Sequence, residues 1–264
     1  MDQKPSTSQR KKRKIGLHWI IAFIFLLIPV SVCVYYYIPQ YNRYTALGEI
    51  VSVREIGVQG SVQFVYVREG VTRNLYEKQA VSKALPDARF YPADSSALDD
   101  LADTESVGEE ARNETIEHAI DSTIDLSDVP ATEEEKDAEL SRLIKATSRY
   151  YGDSIGLMLG IGLVEEKEHL DFSQNGEWTV AGTGTLEADE LVGSVGAIRD
   201  KLRTAEQSGA DIFLVPKDKD TFLYEGLSNE EEAQQVAQEL HLHLQVVPVA
   251  SLSEAIAYLK SKAH

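Results

Sequence analysis

Apolar positions fall into three patterns along the chain. The first is one unbroken run, WIIAFIFLLIPVSVCVYYYI, from Trp19 to Ile38. As a helix it reaches roughly 30 Å, the thickness of a bilayer core. A membrane helix tolerates Pro29, and Trp19 and Tyr35, Tyr36 and Tyr37 suit the two interfaces. The second pattern is partial alternation. GEIVSVREIGVQGSVQFVYVRE at 48–69 predicts two strands broken near Gly57 to Gly60. The third begins near residue 148, where dense apolar segments recur at regular spacing. Ile155 to Val164 predicts a buried helix, with Gly152, Gly156 and Gly160 forming a small-residue stripe that needs a close neighbour. EWTVAGTGTL at 177–186 predicts a strand entering a tight turn. AIRDKLRTAEQSG at 197–209 predicts a helix stopped by Gly209. DIFLVP at 211–216 and LQVVPV at 244–249 read as buried strands, and EEEAQQVAQEL at 230–240 as a helix. Ser251 and Glu254 form a capping box for a last helix, SEAIAYLKS. This alternation is the signature of an α/β fold.

Between the second and third patterns, residues 94–139 are strongly acidic, with Arg112 and Lys136 the only Lys or Arg. The stretch reads as a solvated face or flexible connector, with ARNETIEHAI at 111–120 as a helix poor in large apolar residues. No calcium-loop spacing occurs in it. Asn113-Glu114-Thr115 is a glycosylation sequon, relevant only where exported proteins are glycosylated. Pro130 ends a segment, and Thr132 with Glu135 predicts a capping box opening a helix toward Arg149.

Charge sharpens the first pattern. RKKRK at 10–14 precedes the apolar run, which places the amino terminus in the cytoplasm and everything after Tyr41 outside. Residues 1–18 then form a cytoplasmic basic segment, and 19–38 a single-pass anchor in the lipid of the cell membrane. A cleaved signal peptide is the rival, but the run is long for one and no small-x-small site follows it. The net charge of −17 over 264 residues excludes a nucleic-acid partner. Cys33 is the only cysteine, so neither an intrachain disulfide nor a zinc set is available. No Walker motif is present, and no cofactor or metal is expected.

The candidate chemistry lies in YYGDSIGLML at 151–160, a polar turn ahead of an apolar helix. A serine hydroxyl becomes a nucleophile only with a base beside it. None of the six histidines falls in a glycine-marked turn; His241 and His243 lie near a strand start, and His169 in a surface-like loop. Lys201 sits early in the helix of GAIRDKL. The positive end of the helix dipole and partial burial both disfavour its charge, and a neutral amine accepts a proton. Taken alone, the lysine reads first as a surface residue beside Arg199 and Arg203. Asp153 is expected to point away and set the turn, because a close carboxylate would favour the charged amine.

GDSIGL at 152–157, TG at 183–184 and V-x-x-V-G-A-I-R-D-K at 192–201 together resemble the Lon-type serine-lysine peptidases. ADIFLVP and VVPVASLSEAIAYL are similar to that family's closing strand and helix, so the resemblance covers roughly 150–260. It implies an α/β (α+β) Lon-type peptidase fold, with Ser154 as nucleophile, Lys201 as base, and Thr183 holding the amine. Gly152 and Asp153 would shape the nucleophile turn. The implied organisation is a front portion of the peptidase at 41–147 and a catalytic portion at 148–264. The implied activity is ATP-independent hydrolysis of an exported protein or peptide outside the cell, as in the membrane-anchored secreted relatives of Gram-positive bacteria. The alternative is an inactive relative serving as a binding or scaffold module. Two departures favour that alternative: Ile155 stands where a small residue is usual and is expected to crowd the nucleophile, and no PDZ domain is recognisable. Ala197 replaces a glycine before the lysine. A homo-oligomer is left open.

Overall fold

The computed structural model describes residues 16–126, 131–223 and 225–262. RKKRK at 10–14, Pro130 and His264 lie outside the described residues. The molecule is a mixed α/β domain preceded by one apolar helix, α1 (Leu17–Tyr37), which contains Pro29 and buries none of its residues. It is the one described helix long and apolar enough to cross a membrane, with a mean hydropathy of 2.5 over its most apolar window.

Only Ile38 separates α1 from β1 (Pro39–Ser52). The predicted strand pair is present: β1 runs antiparallel to β2 (Gln63–Asn74), and the break at 53–62 contains a short helical turn ended by Gly57 at φ 84°. Both strands extend beyond the predicted 48–69. α2 (Leu75–Ala84) and β3 (Arg89–Pro92) follow, the latter pairing with the outer edge of β1. β4 (Val180–Gly182), β5 (Ile212–Pro216) and β6 (Gln245–Val249) then add in parallel, giving the order β3-β1-β2-β4-β5-β6. The helices between them are α3 (Ala97–Asp125), α4 (Glu133–Ala146), α5 (Gly156–Glu168), α6 (Ile198–Gln207), α7 (Asn229–Leu240) and, last, α8 (Leu252–Lys262).

Strand periodicity divides the core in two. On β5, Ile212 and Leu214 enter a cluster with α3, α4, α5 and α8, while Phe213 and Val215 enter one with α6 and α7. The sheet is therefore covered on both faces, as parallel strands require. Local signals set the helix ends. Both halves of the Thr132–Glu135 capping box are made. At α8, Ser251 accepts from the Glu254 N–H at 3.1 Å, but the Glu254 carboxylate reaches Ala250 N instead of closing the box. Gly209 stands past the end of α6 at φ 76°.

Two expectations are corrected. The acidic segment is no connector over 97–125: it is the 29-residue helix α3. Its buried side is built of Thr115, Ile116, Ala119, Ile120, Ser122 and Thr123, small enough for close approach to α5. A Cβ at Gly156 would collide with Thr115 Oγ1, so the glycine is required by that approach. The sequon is closed in this fold, since the Thr115 hydroxyl is 3% exposed and donates to Leu186 O at 3.1 Å. The second correction is Gly152, which lies outside α5 at φ 91° and is not part of a stripe. The close contacts on α5 come from Gly156 and Gly160, against Leu186 and Leu252, and from Gly162 against Val53.

Candidate active site

Ser154 lies in the turn just ahead of α5, half-buried. Two elements, α3 and the segment after β4, hold this turn. The buried Arg112 guanidinium of α3 donates to the carbonyls of Thr147 and Tyr150. Gly152 N donates to Gly108 O at 2.9 Å. The segment after β4 closes the other side: Gly184 N donates to Ser154 O at 3.2 Å, and Leu157 N to Gly184 O at 3.0 Å. Thr183, fully buried, also donates its hydroxyl to Ser154 O at 3.3 Å.

The same threonine reaches the lysine. Lys201, the fourth residue of α6, is 4% exposed, and its Nζ donates to Thr183 Oγ1 at 3.0 Å. Burial lowers the Lys201 pKa to about 8, against the opposing pull of Asp153 and Glu69. Lys201 and Ser154 line one cavity of about 720 Å³, together with Tyr66, Glu69, Tyr150 and Tyr151. Among the described residues the Ser154 hydroxyl has no hydrogen-bond partner, and no hydrogen bond joins it to Lys201.

Asp153 does not point away. It lines this cavity, and its charge acts on Lys201. Burial raises its own pKa, against the opposing pull of the Lys201 amine. Ile155 does not crowd the cavity either. Its side chain is 4% exposed, belongs to the core under α5, and is not among the cavity-lining residues. Ile155→Ala should therefore lower stability by about 2–4 kcal/mol through an internal void, read by denaturant unfolding, and should bring no gain in activity. A stable Ile155→Ala protein with raised activity would restore the crowding account.

Ala197 caps α6 at φ 61°, a left-handed conformation that costs a non-glycine residue about 1–2 kcal/mol. It is held there by its neighbours. Asn229 accepts from Val195 N at 2.7 Å and donates to Val195 O at 2.9 Å, and Ser194 donates to the buried Asp218 at 2.6 Å. Ala197, Gly196 and Asp153 also border a second cavity of about 760 Å³, which extends the first along α7.

No histidine lines the cavity with Ser154. His169 and His241 end α5 and α7 in left-handed conformations. His243 bonds Glu206, and His118 meets Leu186 O. Sequence reasoning missed Glu69, whose carboxylate accepts from Tyr151 at 2.6 Å across 82 residues, because no local pattern encodes so distant a pairing. It also missed Arg112, for which a signal existed: a lone arginine in an acidic helix. No family model matches this chain, and no curated protein matches it.

Proposed function

We propose that the protein is a membrane-anchored serine endopeptidase in which Ser154 attacks and Lys201 serves as base, on a Lon-type peptidase fold. The observation carrying this reading is the shared use of Thr183, which binds the Ser154 carbonyl and the buried Lys201 amine at once. A lysine with a pKa of about 8 is neutral in a useful fraction at neutral pH. The mechanism requires the unbonded Ser154 hydroxyl, which shares the cavity with that amine, to turn and bond to it. Lys201 takes the proton as Oγ bonds to the scissile carbonyl carbon, then returns it to the leaving amine. Water repeats the cycle and releases the acyl group. The N–H groups of Ser154 and Ile155, ahead of α5 and without acceptors among the described residues, are candidate donors to the oxyanion. Beyond Phe64, β2 pairs with β1 alone, and Tyr66 to Glu69 border the cavity, so the free edge of β2 near it is a candidate ledge for an extended peptide. In this reading α1 spans the cell membrane with the amino terminus inside.

The unformed Ser154–Lys201 hydrogen bond favours the second reading, an inactive binding or scaffold module. A fluorophosphonate probe separates them. An activated hydroxyl is phosphonylated at Ser154, at a rate rising with pH through about 8, as followed by intact-protein and peptide mass spectrometry. Labelling that is absent at Ser154 across pH 6–10 would favour the module.

A further inference from the structure

α2 is an anomaly of packing. Its ten residues bury no side chain, although a helix this short is marginal in water without a surface to lie on. Its position supplies the explanation. Asn74, which caps α2, pairs with Pro39, the first residue of β1, one residue beyond α1. α2 therefore begins at the level where α1 ends. Tyr76 stacks on Tyr37 of α1 with ring centroids 5.5 Å apart and planes 17° apart, and Gln79 approaches the Tyr36 hydroxyl at 3.5 Å.

What α2 turns outward suits an interface between lipid and water. Tyr76 is 55% exposed, and Tyr91, on the neighbouring β3, is 48% exposed. Tyr76 and Tyr37, stacked on each other, together with Tyr35 on the last turn of α1, place open tyrosines at the end of the apolar helix, as in an aromatic belt. Charge agrees. From Arg73 to Arg89, four basic residues stand against Glu77 and Asp87, in a chain whose net charge is −17. Among the described ion pairs Lys83 takes part in none, and it lies on the open side of α2 with Ala80.

We propose that the open face of α2, centred on Tyr76, Ala80 and Lys83, rests in the headgroup layer of the bilayer beside α1. The proposal rests on α1 spanning that bilayer. It makes the contact between protein and membrane two-legged: α1 fixes depth, and α2 fixes tilt and rotation. The occupant of this face is the phospholipid surface that receives α1.

The test uses the full chain with Cys33 replaced by serine, reconstituted in phosphatidylcholine vesicles. Single cysteines at Ala80, Ile28 and Ala257 carry the environment-sensitive fluorophore NBD. Ala257 is exposed on α8, which packs at the opposite end of the sheet order from β3. Lipids bearing a nitroxide on the headgroup should quench the probe at position 80 about twofold and leave position 257 nearly unchanged. Lipids bearing the nitroxide on the acyl chain should quench position 28. Quenching at 28 with none at 80 overturns the inference and leaves the anchor standing. No quenching at 28 overturns the anchor itself, and the inference with it.

Discussion

Ser154→Ala should abolish peptide-bond cleavage, and Lys201→Met should lower kcat/KM by about 10²–10⁴-fold, the usual range for a lost general base. Both proteins should remain folded, because the turn is held by main-chain bonds of Ser154 and by Thr183 rather than by the reacting groups. Lys201→Arg should fail as well, since guanidinium stays protonated. With an amine pKa of about 8, the neutral fraction is about one tenth at pH 7 and nine tenths at pH 9. Wild-type kcat/KM should rise about tenfold over that interval. Stability has its own signature. The Lys201 pKa is lowered on folding, so the native state sheds this proton before the unfolded chain does. The cost of the buried charge is present in full below pH 8 and vanishes as pH rises to 10.5, so this residue makes the protein gain stability over that window. Lys201→Met should lose the gain and be more stable at pH 7 by at most about 3 kcal/mol. Chemical denaturation of both proteins at pH 7 and pH 10 reads this directly. Equal cleavage by wild type and Ser154→Ala would remove the serine from the chemistry.

The largest loss of stability should follow substitution of Glu165, a residue outside the cavity. It is 1% exposed on α5, and burial raises its pKa. Its Oε2 accepts from Ser61 N at 2.7 Å and Val62 N at 3.3 Å, while Oε1 accepts from the Ser61 hydroxyl and from Phe172 N at 2.8 Å. The carboxylate thus ties the β1–β2 connection to the chain leaving α5. Glu165→Ala strands several buried donors and should cost about 3–5 kcal/mol. Glu165→Gln should be nearly as damaging. An amide in place of Oε2 meets two backbone donors, and one in place of Oε1 meets the Phe172 N–H and forces the Ser61 hydroxyl to turn and accept. Urea midpoints of the two variants decide this, and a near-wild-type midpoint for the glutamine variant would show that the donors find other partners.

Legibility in the sequence followed the range of the interaction. α6, α7 and β5 were readable because caps, periodicity and Gly209 act within a few residues. α3 was misread. Its apolar content is low, and what buries it is shape: small side chains against Gly156, far along the chain. The candidate site divides in the same way. Ser154, Thr183 and Lys201 carry local motifs; the first and last line one cavity and the buried threonine bonds to both. The approach of Asp153 to the amine, the inward turn of Ile155 and the reach of Glu69 to Tyr151 depend on how separate elements pack. Residue type cannot report which way a side chain turns at a junction between strand, turn and helix.

Ile38 alone joins the apolar helix to the sheet, and that single residue has a kinetic meaning. Glu69, at the cavity, pairs with Thr45, six residues along β1 from Pro39. At about 3.3 Å per residue this holds the Glu69 rim of the cavity about 20 Å from Pro39. With α1 in a bilayer, the cavity cannot sample the surrounding solution as a domain on a long tether would. It sweeps a thin layer over the lipid. A cleavable segment emerging from the same bilayer meets it by two-dimensional diffusion at an effective concentration set by that layer, while a freely dissolved peptide must first enter it. In the proposed peptidase, substrates would then be sorted by where they are before they are sorted by sequence.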